Sequence, residues 1–368
     1  MRTGSTRLEH EEGLGNDTLT SATIPPHRGL RVLMVIPGPE HDQAVFSFAR
    51  RQIESIAESG VEVDRFHLAS RTSVSVLQSE RRRLLSRINA FRPDLVHAHF
   101  GSMTAYLVST TSHVPVVITF RGTDLNPRYR SVWRNLGDGW LRTNLGHALS
   151  HLAARRADGI ICVSEQLRSQ LMGSRRRRNA IVVPVGVRLD RFPLIPMNEA
   201  RTELGWAPSE PVVLFNAGRR PKPKRIDLAL AACEVVRRTI PDVRLAVLDG
   251  HQAPDRIPLY LNAADCVLMT SDYEGSPNIV KEAMACNLPV VTTPVGDTGE
   301  RLARVTPSAI VASDAEAMGR AATEILRQRE RSNGRAIVED ELRDEILTRK
   351  IVALYHRVAY ANTQEQPA

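Results

Sequence analysis

The 368-residue chain has no stretch approaching the ~20 continuous apolar residues that a membrane-spanning helix needs. Its longest apolar runs, such as Val32–Ile36, are strand-length. A helical integral membrane protein is thereby excluded. Aromatic residues are scarce, at 5%, and basic residues are not interleaved with them. No nucleic-acid module is read, because such modules combine basic residues with aromatic stacking platforms. Four cysteines, Cys162, Cys233, Cys266 and Cys286, lie far apart without CxxC or Cys/His spacing. No zinc site or disulfide framework follows from them, and buried reduced thiols account for them. Nor does a GxGxxG follow the first apolar run, where Pro37-Gly38-Pro39 stands. A NAD-binding dehydrogenase therefore ranks low. Arg2 and Arg7 are not followed by an apolar segment, so no secretory signal is read and a cytoplasmic protein is expected.

What is present is ordinary globular composition, 42% hydrophobic and 24% charged, at a length that suggests two domains. The net charge is +8, with a pI near 9.7. Part of the excess is local, in Arg81–Arg83 and Arg175–Arg178. Each run alone reads first as a solvated helix face or loop. Together they also suit peripheral contact with an anionic membrane at its inner face. Residues 1–28 are polar and aperiodic and are read as a disordered leader.

From residue 29 onward, apolar runs alternate with stretches of helical period. Strands are predicted at Arg31–Ile36, Val61–Phe66, Leu95–His99, Val116–Phe120, Gly159–Val163 and Ile181–Val185. A second set is predicted at Val212–Asn216, Arg244–Leu248, Cys266–Met269, Val290–Thr293 and Ala309–Val311. The predicted helices include Gln43–Ser59, Gln78–Phe91, Ile226–Arg238, Pro277–Cys286, Asp314–Gln328 and Asp340–Tyr360. Continuous apolar strands separated by helices imply parallel sheets covered on both faces. The fold class is therefore α/β, with two Rossmann-like domains and a cleft between them. Their boundaries are read as 29–190 and 191–345, with a terminal helix and tail over 346–368. The join between the halves, Arg188–Pro211, carries four prolines. Ligands of such folds bind at strand C-termini, so the loops after strands should hold the chemistry.

The strongest signal is the segment Ser271–Ala285 after the third strand of the second half. Ser276 is placed as a helix N-cap and Pro277 as the first helical residue. The free N–H groups of such a helix start favour an anion, for instance a diphosphate. Glu274 sits on the loop, and Glu282 lies on the same helix face as Asn278. Two glutamates eight residues apart carry little specificity by themselves.

Their context carries more. Tyr260–Asp265, Glu274-Gly275-Ser276-Pro277, Glu282-Ala283-Met284-Ala285 and Leu288-Pro289-Val290-Val291 closely resemble the donor-binding region of the retaining GT-B glycosyltransferase family that includes bacterial mannosyl- and glucosyltransferases. Its pattern runs SxxEGxPnvvxEAMAxglPVV, and Val295-Gly296-Asp297 stands at the family's VGG loop. The resemblance implies that Glu274 contacts the transferred sugar and Glu282 the ribose. It also implies that Gly275, Ser276, Pro277 and Asn278 shape the sugar and phosphate pocket. A basic segment, Gly218–Ile226, resembles the family's GRxxxxKG, whose Arg and Lys hold the diphosphate; Gly218, Arg219 and Lys224 match. Arg225 replaces the usual Gly, leaving Lys222, Lys224 and Arg225 as alternatives for the second cation.

In the first half, Pro93–His99 resembles the PDvvHaH strand and Thr119–Asp124 the tfHGxD turn, with Arg121 in place of His. His99, Arg121 and Asp124 are the acceptor-side candidates. Ser164 is read as a helix cap. The first loop carries one glycine where the family has two. Between Gly250 and Pro258, a helix and strand found in many members are absent. The amphipathic last helix matches the family's C-terminal crossover helix.

The resemblance implies a metal-independent hexosyltransferase without a bound cofactor. Its donor would be a nucleotide-diphosphate sugar of UDP or GDP type. Its acceptor would be a glycan, a lipid-linked sugar or a small molecule, in polysaccharide or glycoconjugate synthesis. The catalytic set is Glu274, Arg219 and Lys224. No general base is named, and no metal site or DxD motif is read. Rival readings are a GT-B-like nucleotide-sugar epimerase or hydrolase, and a non-catalytic nucleotide-sugar-binding protein.

Overall fold

The first set of apolar runs forms one parallel sheet. In the computed structural model, which describes residues 29–40, 47–69, 74–125, 138–218 and 224–361, its strands are β1 (Arg31–Pro37), β2 (Glu62–Leu68), β3 (Leu95–Ala98), β4 (Val116–Phe120), β5 (Gly159–Cys162) and β6 (Ile181–Val182). They lie in the order β2-β1-β3-β4-β5-β6, every pair parallel. The connecting helices are α1 (Ser47–Glu58), α2 (Val74–Phe91), α3 (Ser102–Thr111), α4 (Asp138–Arg156), α5 (Glu165–Ser169) and α6 (Ser174–Asn179). β1 shows why the strands read as unbroken apolar runs. Val32, Met34 and Ile36 enter one core with Ile53 and Ile56 of α1. Leu33 and Val35 enter the other with Leu84 and Ile88 of α2. A strand covered on both faces has no polar side to alternate with. Ser164 caps α5, accepting from the Leu167 N–H at 3.3 Å. Arg175–Arg178 lie on α6, which buries none of its residues.

After α7 (Met197–Leu204), the second sheet contains β7 (Val212–Asn216), β8 (Arg244–Leu248), β9 (Cys266–Met269), β10 (Val290–Thr292) and β11 (Ala309–Ile310). Its order is β8-β7-β9-β10-β11, again all parallel. Its helices are α8 (Ile226–Arg237), α9 (Ile257–Ala263), α10 (Asn278–Ala285), α11 (Thr298–Leu302), α12 (Ala315–Gln328) and α13 (Gly334–Ile337). A π-helical turn, Val338–Leu342, leads into α14 (Asp344–Tyr360). Strand order reverses between β1 and β3, and again between β7 and β9. Open α/β sheets bind ligands at such switch points.

Helix α14 returns to the first sheet. Ile351, Leu354, Tyr355 and Val358 join the core that contains β1 and α1, and the Tyr355 hydroxyl meets His97 Nδ1 at 2.5 Å. Among the described residues, no helix is long and apolar enough to cross a membrane.

Several boundaries differ from the sequence reading. α2 begins at Val74, four residues before the expected Gln78. β6 ends at Val182, three residues before the expected Val185, with a last bond from Val183 N–H to Cys162 O at 2.9 Å. The last helix starts at Asp344 rather than Asp340. There the linker intervenes: Val187 N–H donates to Leu342 O, and Asp344 N–H donates to Val187 O. The leader 1–28, the first turns expected from Gln43 and the tail beyond 361 lie outside the described residues.

Candidate active site

The site builds from the loop between β9 and α10. Ser276 does not cap α10. The cap position belongs to Pro277, and no side chain accepts from the first N–H groups. Ser276 Oγ instead donates to Asp297 Oδ2 at 2.8 Å and accepts from Lys281 Nζ at 3.0 Å. Asp297 also accepts from Arg301 Nε at 2.9 Å, which gives the Asp at the VGG position a structural use. Lys281 is fully buried and also donates to Val185 O at 2.9 Å. Burial pushes its pKa down to about 8, against an opposing pull from Asp297. The α10 N-terminus thus keeps its N–H groups open toward the switch point.

Glu274, Ser276, Asn278 and Glu282 are half-buried, while Gly275, Pro277 and Ile279 between them are buried. Glu274 Oε1 accepts from Ser271 Oγ at 2.9 Å and forms an ion pair with Lys224 Nζ. Sequence reasoning had assigned these two residues to different parts of one ligand, and the fold puts them in contact.

The β7 loop supplies Lys224. Gly218 takes φ +54° as the chain leaves the strand. Arg219 and Lys222 belong to 219–223, outside the described residues. Thr270 Oγ1 donates to Lys224 O at 2.6 Å and to Arg225 O at 2.9 Å, pinning the end of the loop to β9. Arg225 has φ +53° and ψ 58°. This left-handed conformation explains why glycine is usual here, since an L-residue there is strained by ~1–2 kcal/mol. The Arg225 side chain turns to Asp227 and Asp272 instead of the site. Lys224 is therefore the cation that meets Glu274.

The first domain closes the other side. Gly122 lies 3.5 Å from the Gly275 backbone, measured from an ideal Cβ position. Arg51 Nη1 of α1 meets Glu282 Oε1 at 3.3 Å. Arg121 donates from Nε to His99 O (3.2 Å) and from Nη2 to Gln52 Oε1 (2.7 Å) and His99 Nδ1 (2.8 Å). Its guanidinium lies over the Phe48 ring at 4.8 Å. Because Nδ1 accepts, neutral His99 carries its proton on Nε2, facing Met34 sulfur at 3.4 Å. Burial, with His97 and Arg121 nearby, holds the His99 pKa well below the usual imidazole range. Asp124 is buried, and its carboxylate accepts the backbone N–H groups of Gly101 (2.9 Å), Arg121 (3.0 Å) and Gly122 (2.8 Å). It shapes the turn that carries Arg121.

Residues 26–191 match the family model Glycosyltransferase Family 4, and residues 210–328 match Glycosyl transferases group 1. The chain belongs to these GT-B glycosyltransferases. TuaC of Bacillus subtilis, a glycosyltransferase assigned to teichuronic acid biosynthesis, is 26% identical over 332 residues, 80% of each chain. The D-inositol 3-phosphate glycosyltransferase of Segniliparus rotundus is 34% identical over 143 residues, 31% of this chain and 32% of that one. Among solved structures, a sucrose-phosphate synthase from Thermosynechococcus elongatus superposes with a TM-score of 0.72 at 18% identity, over 90% of this chain and 100% of that one. Anabaena HepE, solved with UDP-glucose, gives 0.65 at 14%, over 91% and 100%. At these identities the two structures establish the fold. The glycosyltransferase moves a sugar from a nucleotide-diphosphate sugar.

Sequence reasoning missed three residues of this glycosyltransferase's cleft, Arg51, Gln52 and Lys281, and gave Asp297, at the VGG position, no role. Arg51 meets Glu282 across 231 positions of sequence, and no local pattern encodes that contact. Lys281 carried a usable signal. A lysine beside buried Val280, on a helix whose neighbours are apolar, needs internal acceptors.

Proposed function

We propose that the enzyme is a retaining, metal-independent hexosyltransferase. It takes a nucleotide-diphosphate sugar, of UDP type by analogy with HepE, and builds a polysaccharide or glycoconjugate. The donor lies on the second domain, from about residue 191, and the acceptor on the first. The observation that carries this reading is the contact of Glu274 with Lys224 at the β7/β9 switch point, with Glu282 eight residues on along α10. In this reading Lys224, with Arg219, stabilises charge building on the leaving diphosphate. Glu274 exchanges its ion pair for hydroxyls of the transferred sugar, and the open N-terminus of α10 faces the phosphates. Glu282 releases Arg51 and accepts the ribose hydroxyls. Closure of the domains excludes water, which limits hydrolysis of the donor.

The test is a thermal-shift panel of nucleotide sugars on the wild type and Glu282→Ala. Hydrogen bonds to a charged group contribute about 1.5–3 kcal/mol, so the variant should bind its donor ~10–100-fold more weakly. Selective stabilisation by one donor, lost in the variant, is expected. Equal stabilisation of both proteins by the same donor would remove Glu282 from the site.

A further inference from the structure

Among the described residues no carboxylate touches the side chain of Arg121, a largely buried cation whose charge is favoured by nearby Asp124. Its guanidinium partners are the Gln52 amide oxygen, the His99 carbonyl and a neutral imidazole nitrogen. Its Nη1 is shut off from solvent and has no partner. Other buried guanidiniums of this chain are completed differently. Arg201 meets Asp265, and Arg331 meets the carbonyls of Leu261, Ala264 and Cys286. Among the described residues no carboxylate contacts the Arg121 side chain, and Asp124 is spent on backbone N–H groups. Burial lowers the Arg121 pKa to about 10, which leaves it charged at neutral pH. A desolvated charge that is only partly compensated, with one N–H left without a partner, is costly, so its retention points to a counter-anion supplied from outside.

Position identifies which substrate supplies it. The Arg121 carbonyl abuts Gly275, beside the Glu274 loop. The side chain, however, turns into the first domain, between Phe48 and Gln52 of α1 and the end of β3. That is the face opposite Lys224, Glu274 and Glu282.

We propose that Arg121 is a specificity-determining residue that binds an oxyanion on the acceptor, so that the acceptor is an acidic sugar or a phosphorylated one. This rests on the acceptor side lying on the first domain. The guanidinium is held by Nε and Nη2, which leaves Nη1, covered while the cleft is closed, to supply a charge-assisted hydrogen bond to a carboxylate or phosphate oxygen that enters as the domains part.

The experiment uses the full chain saturated with UDP, so that the diphosphate cations are occupied. Glucuronate, glucose 6-phosphate and glucose are titrated calorimetrically into the wild type, Arg121→Gln and Arg121→Lys. One acid should bind the wild type at least ~10-fold more tightly than glucose. That preference should vanish in Arg121→Gln and partly survive in Arg121→Lys. The acid that wins separates a carboxylate from a phosphate. If neither acid exceeds glucose, or if the preference survives in Arg121→Gln, the proposal is wrong. The wild-type comparison stands even if a variant fails to fold. UDP is titrated into each protein beforehand, so failure of the donor site is seen separately from failure of the anion site.

Discussion

Gly275→Ala tests whether the closed cleft is the working arrangement. Gly275 is not in the left-handed region, so alanine is not barred by its backbone dihedrals. It is barred by space. A Cβ there would lie 2.1 Å from Arg121 O, 2.9 Å from Arg121 C and 3.1 Å from Gly122 Cα. All three are backbone atoms of the other domain and cannot rotate away. Reaching even a tight contact requires the Glu274 loop and the Arg121 turn to part by about 1 Å, and a misplacement of that size can cost ~10²-fold in rate. Each sheet has one core face of its own, and the apolar cluster shared by the two domains does not run through Gly275, so stability should fall little. A loss of ~1 kcal/mol shifts Tm by only ~2–4 °C in a domain of this size. The expected result is kcat/KM reduced ~10²-fold, with UDP affinity and Tm nearly those of the wild type. Full activity would show that catalysis does not use this contact. A Tm lowered by more than ~10 °C with loss of UDP binding would show that Gly275 serves the second domain's own packing.

Two further substitutions probe the same loops. Lys281 has its pKa lowered by burial from 10.5 to about 8. Below pH 8 the ammonium is charged in both folded and unfolded chains, and the burial cost is fully present. Between pH 8 and 10.5 the unfolded chain binds the extra proton, so this group's contribution to stability rises with pH. Lys281→Met lacks that slope. The Tm difference, wild type minus variant, should therefore grow between pH 7.5 and 9.5, and a difference constant with pH would refute the shift. Arg225→Gly relieves the left-handed strain but loses the pairs to Asp227 and Asp272, which are exposed and worth ~0–1 kcal/mol each. Denaturant unfolding should find stability unchanged within ~1 kcal/mol, and a loss above ~2 kcal/mol would show that those pairs hold the loop.

The sheets were legible because their strands are buried on both faces. Nine of the eleven predicted strands, β11 among them, keep both ends to within one residue, and β2 begins one residue late and ends two residues late. β6, the edge strand of its sheet, ends three residues short of its expected length. The β9–α10 loop was legible as a strand-to-helix turn but not in its pairing. Ser276 fits an N-cap by propensity, yet buried Lys281 and Asp297 compete for its hydroxyl and win. Capping preference is worth ~1 kcal/mol, less than the cost of leaving a buried ammonium unbonded. Arg225 was visible as a departure from glycine, but only its φ shows what that departure costs. The first domain's share of the cleft was least legible. Arg51, Gln52 and Phe48 lie on an ordinary amphipathic helix, and their partners come from the turn after β4 and from α10, far off in sequence.

The energetics of the cleft differ at its two ends. At the mouth, Arg51 and Glu282 are 32% and 14% exposed, and a pair of that kind contributes only ~0–1 kcal/mol. The adjoining Gly122–Gly275 approach is bare van der Waals contact. At the back, α14 buries Ile351, Leu354, Tyr355 and Val358 against the first domain, with Tyr355 bonded to buried His97. Burying each such side chain is worth ~1.5–3 kcal/mol, so that end is a fixed attachment. A joint strong at one end and weak at the other opens by hinging, not by separation. Once Arg51 is displaced, little holds the mouth closed except the ligands. On the proposed function, substrate bound between Glu282 on one side and Arg121 on the other would add interactions that hold the mouth closed. Closure would then be coupled to both substrates being present, which is the condition under which excluding water protects a hydrolysable donor.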